Sequence, residues 1–303
     1  MNSALLIPSM SSVRAAVAFP LKLAATTLAA IAETAIENSS ARCPLASHGP
    51  ATQPCQVRRP NKADDTPVLL VPGYLSPHAA WDPLLRKLRL DGFHDITCLH
   101  YNPFKMGIPD IASLLVSEAR NAMQRSGSSG VHLIGYSLGG LAVRYAVQRL
   151  GLDDAVLSAV TVATPHHGSL LAHLGVGPAV RQLRSNSPLL SALPDIDASQ
   201  KVQWFLIGAQ SDAVVPLSNA TAGQYADSSC IPGCGHLRIM DSPELADAVV
   251  SHLKSSTRKQ TRAQGAHLRA SSEKMTCRRG LLSSWADCSE GSTMLGERLS
   301  SGT

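Results

Sequence analysis

Aromatic residues make up only 4% of the 303-residue sequence, and Asp, Glu, Lys and Arg together only 16%. A nucleic-acid surface needs Lys and Arg gathered on the folded part with aromatic side chains interleaved, and this composition supplies neither. The formal net charge of +5 does not alter that reading. Lys254 to Thr303 hold nine Lys/Arg against four Asp/Glu, whereas Met1 to Leu253 hold eighteen of each. The excess sits at the C-terminal end, so no nucleic-acid partner is expected. No segment repeats at a solenoid-like period, which leaves one large core as the simpler organisation.

Seven cysteines leave at least one unpaired, which does not make the framework of a disulfide-stapled secreted domain. Cys98 falls in a predicted buried strand and reads as a small core residue. Cys230 and Cys234 could close a short disulfide loop or remain reduced thiols. With His236 they resemble part of a metal site, but a fourth ligand and a second C-x-x-C are missing. Neither a metal nor a cofactor is expected.

A clean transmembrane run is also missing. Arg14 precedes AAVAFPLKLAATTLAAIA, which is Ala-rich and broken by Pro20 and Lys22. Three readings stay open for it: a weak signal segment, an amphipathic helix making peripheral membrane contact, or the helical lead-in of a cytoplasmic enzyme. Location is left open, with a secreted or membrane-associated placement favoured over a cytoplasmic one. From Asn38 to Asp65 the chain turns to Ser, Pro, Asn and scattered charge, the composition of a linker. The expected organisation is therefore an N-terminal segment with its linker over 1–65, a catalytic domain over 66–254, and a basic tail over 255–303. That tail is rich in Ser, Arg, Gly and Thr, and buries too little apolar surface to offset the entropy of ordering.

What the middle does contain is alternation. Strand-length aliphatic runs at Val68 to Val71, Ile96 to Tyr101, Val131 to Tyr136, Leu157 to Ala163 and Val202 to Ile207 are separated by stretches of helical period. The predicted helices are Ala79 to Leu90, Pro109 to Arg125, Leu138 to Leu150 and Pro243 to Lys254. This pattern predicts an α/β fold, a mostly parallel central sheet with helices on both faces.

Within it, HLIGYSLGG places Ser137 between Gly135 and Gly139, matching G-x-S-x-G. In a chain of this length the pattern arises by chance about 0.1 times, so its position has to carry the assignment. Ser137 lies where a buried strand meets a helix, the junction a nucleophile elbow requires. A Cβ at either glycine would clash as strand and helix converge, and the helix N-terminus offers amide donors to an anion.

A serine nucleophile needs a base and an acid, in the chain order Ser, Asp or Glu, His. Asp212 follows a predicted strand directly and so lies on the edge where parallel sheets gather their chemistry. Asp227 is the competing carboxylate. His236 is a loop histidine closely following Asp212; His252 falls inside the last helix and is expected to face solvent. His166 and His167 precede the acid and could line the mouth of the site. The expected triad is Ser137, His236 and Asp212, with oxyanion donors from the N–H groups of Leu138 and Tyr74. For the latter, Gly73 would let the backbone turn.

VLLVPGYLSPHAAW, HLIGYSLGG, TVATPHHGS and GAQSDAVVP, in that order, resemble the α/β-hydrolases of the bacterial triacylglycerol lipase and esterase type. The resemblance covers about Pro67 to Leu253. It implies an α/β-hydrolase fold with the same triad and oxyanion donors. Pro72 stands where many relatives carry histidine, and no calcium-binding carboxylate set is visible. His166 to Ile196 reads either as a small lid over the serine or as an ordinary packing helix. The expected activity is hydrolysis of hydrophobic acyl esters, at a lipid surface if the segment is a lid. Acyl transfer, thioester or amide cleavage by the same residues, and a non-catalytic binding protein on this scaffold, are the alternatives.

Overall fold

The computed structural model describes residues 66–196, 202–223 and 226–262. The predicted N-terminal segment, the linker and most of the predicted tail lie outside the described residues. The chain divides into two units at Ser256/Thr257, and the first of them holds the sheet. In the second, the described residues 257–262 are helical.

Six parallel strands form one sheet in the order β2-β1-β3-β4-β5-β6. They are β1 (Val68–Val71), β2 (Ile96–Cys98), β3 (Val131–Tyr136), β4 (Val156–Val162), β5 (Gln203–Ala209) and β6 (Asp227–Ile231). Helix α1 (Asp82–Leu90) follows β1, α2 (Ile108–Ser126) follows β2, and α3 (Leu138–Arg149) follows β3. Three one-turn helices come later: α4 (Pro178–Gln182), α5 (Pro188–Ala192) and α6 (Leu217–Ala220). A last helix of this unit, α7, runs over 243–256.

Two cores explain why the central strands are mostly apolar. On one face Leu69, Val71 and Leu133 pack with Ile111, Leu115 and Ala119 of α2 and Leu141 and Val143 of α3. On the other, Val68, Leu70, Ile134, Val160 and Ile207 pack with Leu84 and Leu88 of α1 and Leu245, Val249 and Leu253 of α7. Successive strand residues point to opposite faces, so a strand covered on both sides is apolar on both, and the buried His132, Ser158 and Thr161 of β3 and β4 are each held in a side-chain hydrogen bond. Each such Leu, Ile or Val contributes roughly 1.5–3 kcal/mol on burial. Helix α2 spans nineteen residues without interruption. Asp110 Oδ2 accepts from Gly107 N–H at 2.8 Å at its start, and Gly127 ends it in the left-handed region at φ 68°.

The structure departs from the predicted elements where strands lie at the edges. β2 stops at Cys98 rather than Tyr101, and all three of its residues are half-buried because only one flank is paired. Cys98 is thus an edge residue rather than a fully buried one, although burial still pushes its thiol up to about 12. β6 is not among the predicted strands at all. The last helix extends past Lys254, its predicted end, to Ser256 in this unit.

His252 does not face solvent. Leu245, Val249, His252 and Ser256 follow at spacings of four, three and four, one stripe of a helix, and all four are buried. The His252 ring stacks on Phe205 at 4.8 Å. The segment 166–196 is not one helix either. It forms a 3-10 turn at Leu170–His173 and then α4 and α5, with Gly175, Gly177, Pro178 and Pro188 breaking the continuity.

Candidate active site

β3 delivers Ser137 at its C-terminal end, and α3 starts at the next residue. Ser137 has φ 50° and ψ −116°, a conformation a residue with a side chain adopts only under constraint. The constraint is visible on both sides. Ser137 N–H continues the sheet ladder to the Val162 carbonyl at 2.8 Å, while α3 turns back immediately over β1. A Cβ on Gly139 would lie 2.1 Å from the Val71 carbonyl oxygen, and one on Gly135 would lie 2.5 Å from the Gly140 Cα. Residues 131–136 and 138–144 are all buried, and Ser137 alone among them keeps partial exposure. Leu75 and Ala163, after β1 and β4, also have positive φ, so strain collects along the same sheet edge.

The structure brings Ser137, His236 and Asp212 together. His236 Nε2 is 3.0 Å from Ser137 Oγ, and His236 Nδ1 is 2.8 Å from Asp212 Oδ2. Asp212 comes from the loop after β5, and its side chain is fully buried. Its other oxygen, Oδ1, accepts from the N–H groups of Val214 and Val215, both at 2.8 Å. Burial pushes this carboxyl up, but the hydrogen bonds from His236, Val215 and Val214 outweigh it and hold the carboxyl below the usual carboxylate value. His236 lies in the loop between β6 and α7, where Ser211 N–H donates to the Cys234 carbonyl at 3.0 Å.

Asp227, the competing carboxylate, begins β6 and is exposed. In a parallel strand its position is the N-terminal edge, the opposite end of the sheet from Ser137. Cys230 and Cys234 are free thiols, one exposed and one buried, and Cys234 Sγ faces the Ile231 carbonyl at 3.5 Å. With His236 engaged by Asp212 and Ser137, these residues do not form the partial metal site their spacing resembles. Among the described residues no cluster of three or more His, Cys, Asp or Glu is placed to hold a metal.

The loop after β1 passes beside the serine. A Cβ on Gly73 would meet the Tyr136 ring at 2.9 Å and Ser137 Cβ at 3.2 Å. Gly73 does not adopt a left-handed conformation; Leu75 does, at φ 57°. Close approach, rather than the turn expected from Pro-Gly, is what the glycine provides. Tyr74 follows, its hydroxyl donating to the Val176 carbonyl at 2.9 Å and accepting from Val176 N–H at 3.3 Å. Leu138 opens α3, so its N–H has no acceptor within the helix.

His166 is not at the mouth. It is 1% exposed, with Nε2 at 3.0 Å from Thr161 Oγ1, and burial next to Arg144 keeps it neutral. His167 is exposed, and its N–H donates to Asn219 Oδ1 at 2.8 Å. Sequence reasoning overlooked Arg144, a buried guanidinium on α3 that donates to the His166 carbonyl at 3.0 Å and to the Pro194 carbonyl. Burial lowers it to about 10, so it stays charged at neutral pH. It ties the helix of the serine to both ends of the 166–196 segment; its place within the period of α3 was the available signal.

The family model described as palmitoyl protein thioesterase matches residues 108–189, a little over a quarter of the chain, including the elbow. No curated protein sequence matches the chain. Among solved structures, the mature Bacillus licheniformis lipase BlEst2 superposes with a TM-score of 0.53 at 21% identity, covering 66% of this chain and 96% of that one. The Legionella pneumophila phospholipase PlaB gives 0.50 at 16% identity, covering 66% and 64%. Aspergillus fumigatus lipase B gives 0.50 at 16%, covering 62% and 52%. The sheet order, the strained serine between β3 and α3 and these superpositions agree: the chain has the α/β-hydrolase fold.

Proposed function

We propose that the chain is a serine carboxylester hydrolase that cleaves hydrophobic acyl esters through an acyl-enzyme on Ser137. The hydrogen-bonded series Ser137–His236–Asp212 at a strained elbow carries this reading. Ser137 Oγ attacks the acyl carbonyl carbon as its proton passes to His236 Nε2, and Asp212 supports the imidazolium and holds the ring orientation. The oxyanion accepts from Leu138 N–H and Tyr74 N–H. Collapse expels the alcohol, which takes the proton from His236. Water then attacks the acyl-enzyme, gives a proton to His236, and releases the acid and the serine.

An apolar acyl group is supported by exposed Leu170, Leu171, Val176 and Leu237. Val176 is held by the Tyr74 hydroxyl, and Leu237 directly follows the base. A thioester substrate is the second reading, favoured by the thioesterase family model over 108–189. The same steps apply, with a thiolate as the leaving group.

A fluorophosphonate probe tests the nucleophile: the wild type forms one adduct and Ser137→Ala none. An adduct persisting in the variant moves the nucleophile elsewhere, and no adduct on the wild type removes the enzyme reading. Rates on p-nitrophenyl esters of increasing chain length, set against matched acyl thioesters, then separate the two substrate classes. A preference for the shortest soluble esters would count against a lipase.

A further inference from the structure

Tyr136 stands between Gly135 and Ser137, where the elbow itself asks only for a residue that fits the end of β3. Its side chain turns to the face opposite α3 and is 3% exposed among the apolar residues of α1 and α7. From there it reaches two loops at once. The hydroxyl donates to the backbone carbonyl of His236 at 2.9 Å, across 100 residues of sequence. The ring lies 5.4 Å from the His236 imidazole, tilted by 34°, and its edge fills the place a Cβ on Gly73 would need. Burial, and the charge of Asp212, push the phenol upward, so it remains an O–H donor at any pH at which an ester hydrolase works.

We infer that Tyr136 is a positioning residue: its hydroxyl bond to the His236 carbonyl and its ring against the imidazole set where the base stands over Ser137. This rests on the reading of Ser137 and His236 as nucleophile and base. The rest of the loop has separate anchors. Gly233 N–H donates to Gln210 Oε1 at 3.2 Å, Ser211 N–H to the Cys234 carbonyl at 3.0 Å, and Ile239 N–H to the Gly235 carbonyl at 3.0 Å. Those bonds keep the loop folded on either side of His236, while Tyr136 holds the residue itself. Its loss therefore removes one restraint on the backbone that carries the imidazole, while the Asp212 contact at 2.8 Å and the loop's own bonds remain. A displacement of about 1 Å at a reacting group costs on the order of 10²-fold in rate, and a single restraint among several is expected to cost less.

The test is Tyr136→Phe, which keeps the ring and removes the bond. On a p-nitrophenyl ester, kcat per fluorophosphonate-titrated site should fall roughly 5- to 50-fold with KM within about twofold, since the change acts on attack and not on binding. A second measurement separates positioning from general loosening. In a His236→Ala background there is no base to position, so Tyr136→Phe should reduce the residual rate by less than about twofold. An unchanged per-site kcat, an effect confined to KM, or an equal loss in the His236→Ala background would each overturn the inference. Ser137→Ala labelling is read separately: a persisting adduct defeats the nucleophile reading, whatever Tyr136→Phe does.

Discussion

The Gly139→Ala substitution puts the elbow under the sharpest test. The added Cβ would stand 2.1 Å from the Val71 carbonyl oxygen and 2.5 Å from that of Pro72, both backbone atoms of β1 and its following loop. Reaching even a 3.0 Å contact with the first requires α3 and β1 to separate by about 0.9 Å. Neither side yields easily, because Leu69 and Leu141 pack in the same core and Ser137 is tied to β4. Overpacking of this kind costs about 1–3 kcal/mol, and backbone on the receiving side argues for the upper end. For a domain of this size that lowers Tm by roughly 6–12 °C.

The displacement also carries Ser137, since α3 begins at the next residue. Moved by the same amount away from His236, Ser137 Oγ would pass from 3.0 Å beyond hydrogen-bond reach. A loss of about 10² in kcat per folded site follows. Thermal melting by circular dichroism and per-site kcat on a p-nitrophenyl ester measure the two effects. Gly151→Ala is the control: its φ is 67° and nothing lies within 4 Å of the added Cβ. It should lower Tm through backbone strain of about 1–2 kcal/mol and leave kcat unchanged. A Gly139→Ala enzyme with kcat within about fivefold of wild type would refute the argument.

Asp212→Asn removes the charge that supports the imidazolium and presents an amide to His236 Nδ1, so kcat should fall by roughly 10³–10⁴ with little change in KM; a loss under tenfold in steady-state assays would exclude Asp212 as the acid. His132 is fully buried on β3 beside Ser158 Oγ, and burial lowers it to about 3. The unfolded chain therefore takes up that proton near pH 6.5 while the folded one does not. The neutral histidine's contribution is full above 6.5 and declines as pH falls toward 3, by several kcal/mol at most. His132→Gln should flatten the fall of Tm between pH 6.5 and 4.5, and an unchanged slope would count against it. Arg144→Met leaves the His166 and Pro194 carbonyls without their buried donor and should destabilise by about 2–4 kcal/mol in urea titration; a change below about 0.5 kcal/mol would show that the tie is dispensable.

Legibility followed burial. β1, β3, β4 and β5 are covered on both faces, which favours apolar runs broken by few polar residues, and such runs stand out in a sequence. β6 is an edge strand reading Asp-Ser-Ser-Cys-Ile with its first four residues at least partly exposed, so nothing in its composition marks it as extended. The predicted β2 runs past its observed end because buried Leu99, exposed His100 and half-buried Tyr101 continue a strand-like alternation beyond Cys98. In the site, Ser137 was legible because an elbow constrains its neighbours to be small. The partners depended on chain order and loop position, which exclude many candidates but supply no distance. His252 and His166 were misplaced because histidine is tolerated both in water and, neutral and hydrogen-bonded, in a core. Only the packing around each ring separates these cases, and that arises from elements far away in sequence.

The bond between Ser137 and His236 joins residues 99 apart, and Tyr136, Asp212 and His236 meet only after β4, β5 and β6 have paired in turn. If His236 is the base, as proposed, the serine emerges well before it during synthesis, and a nascent chain carries an inert hydroxyl until nearly the whole sheet is in place. Reactivity toward a fluorophosphonate then becomes a clock for the completion of folding. In refolding, the labelled fraction should rise with the slowest structural phase, lagging any early signal from α2 and α3.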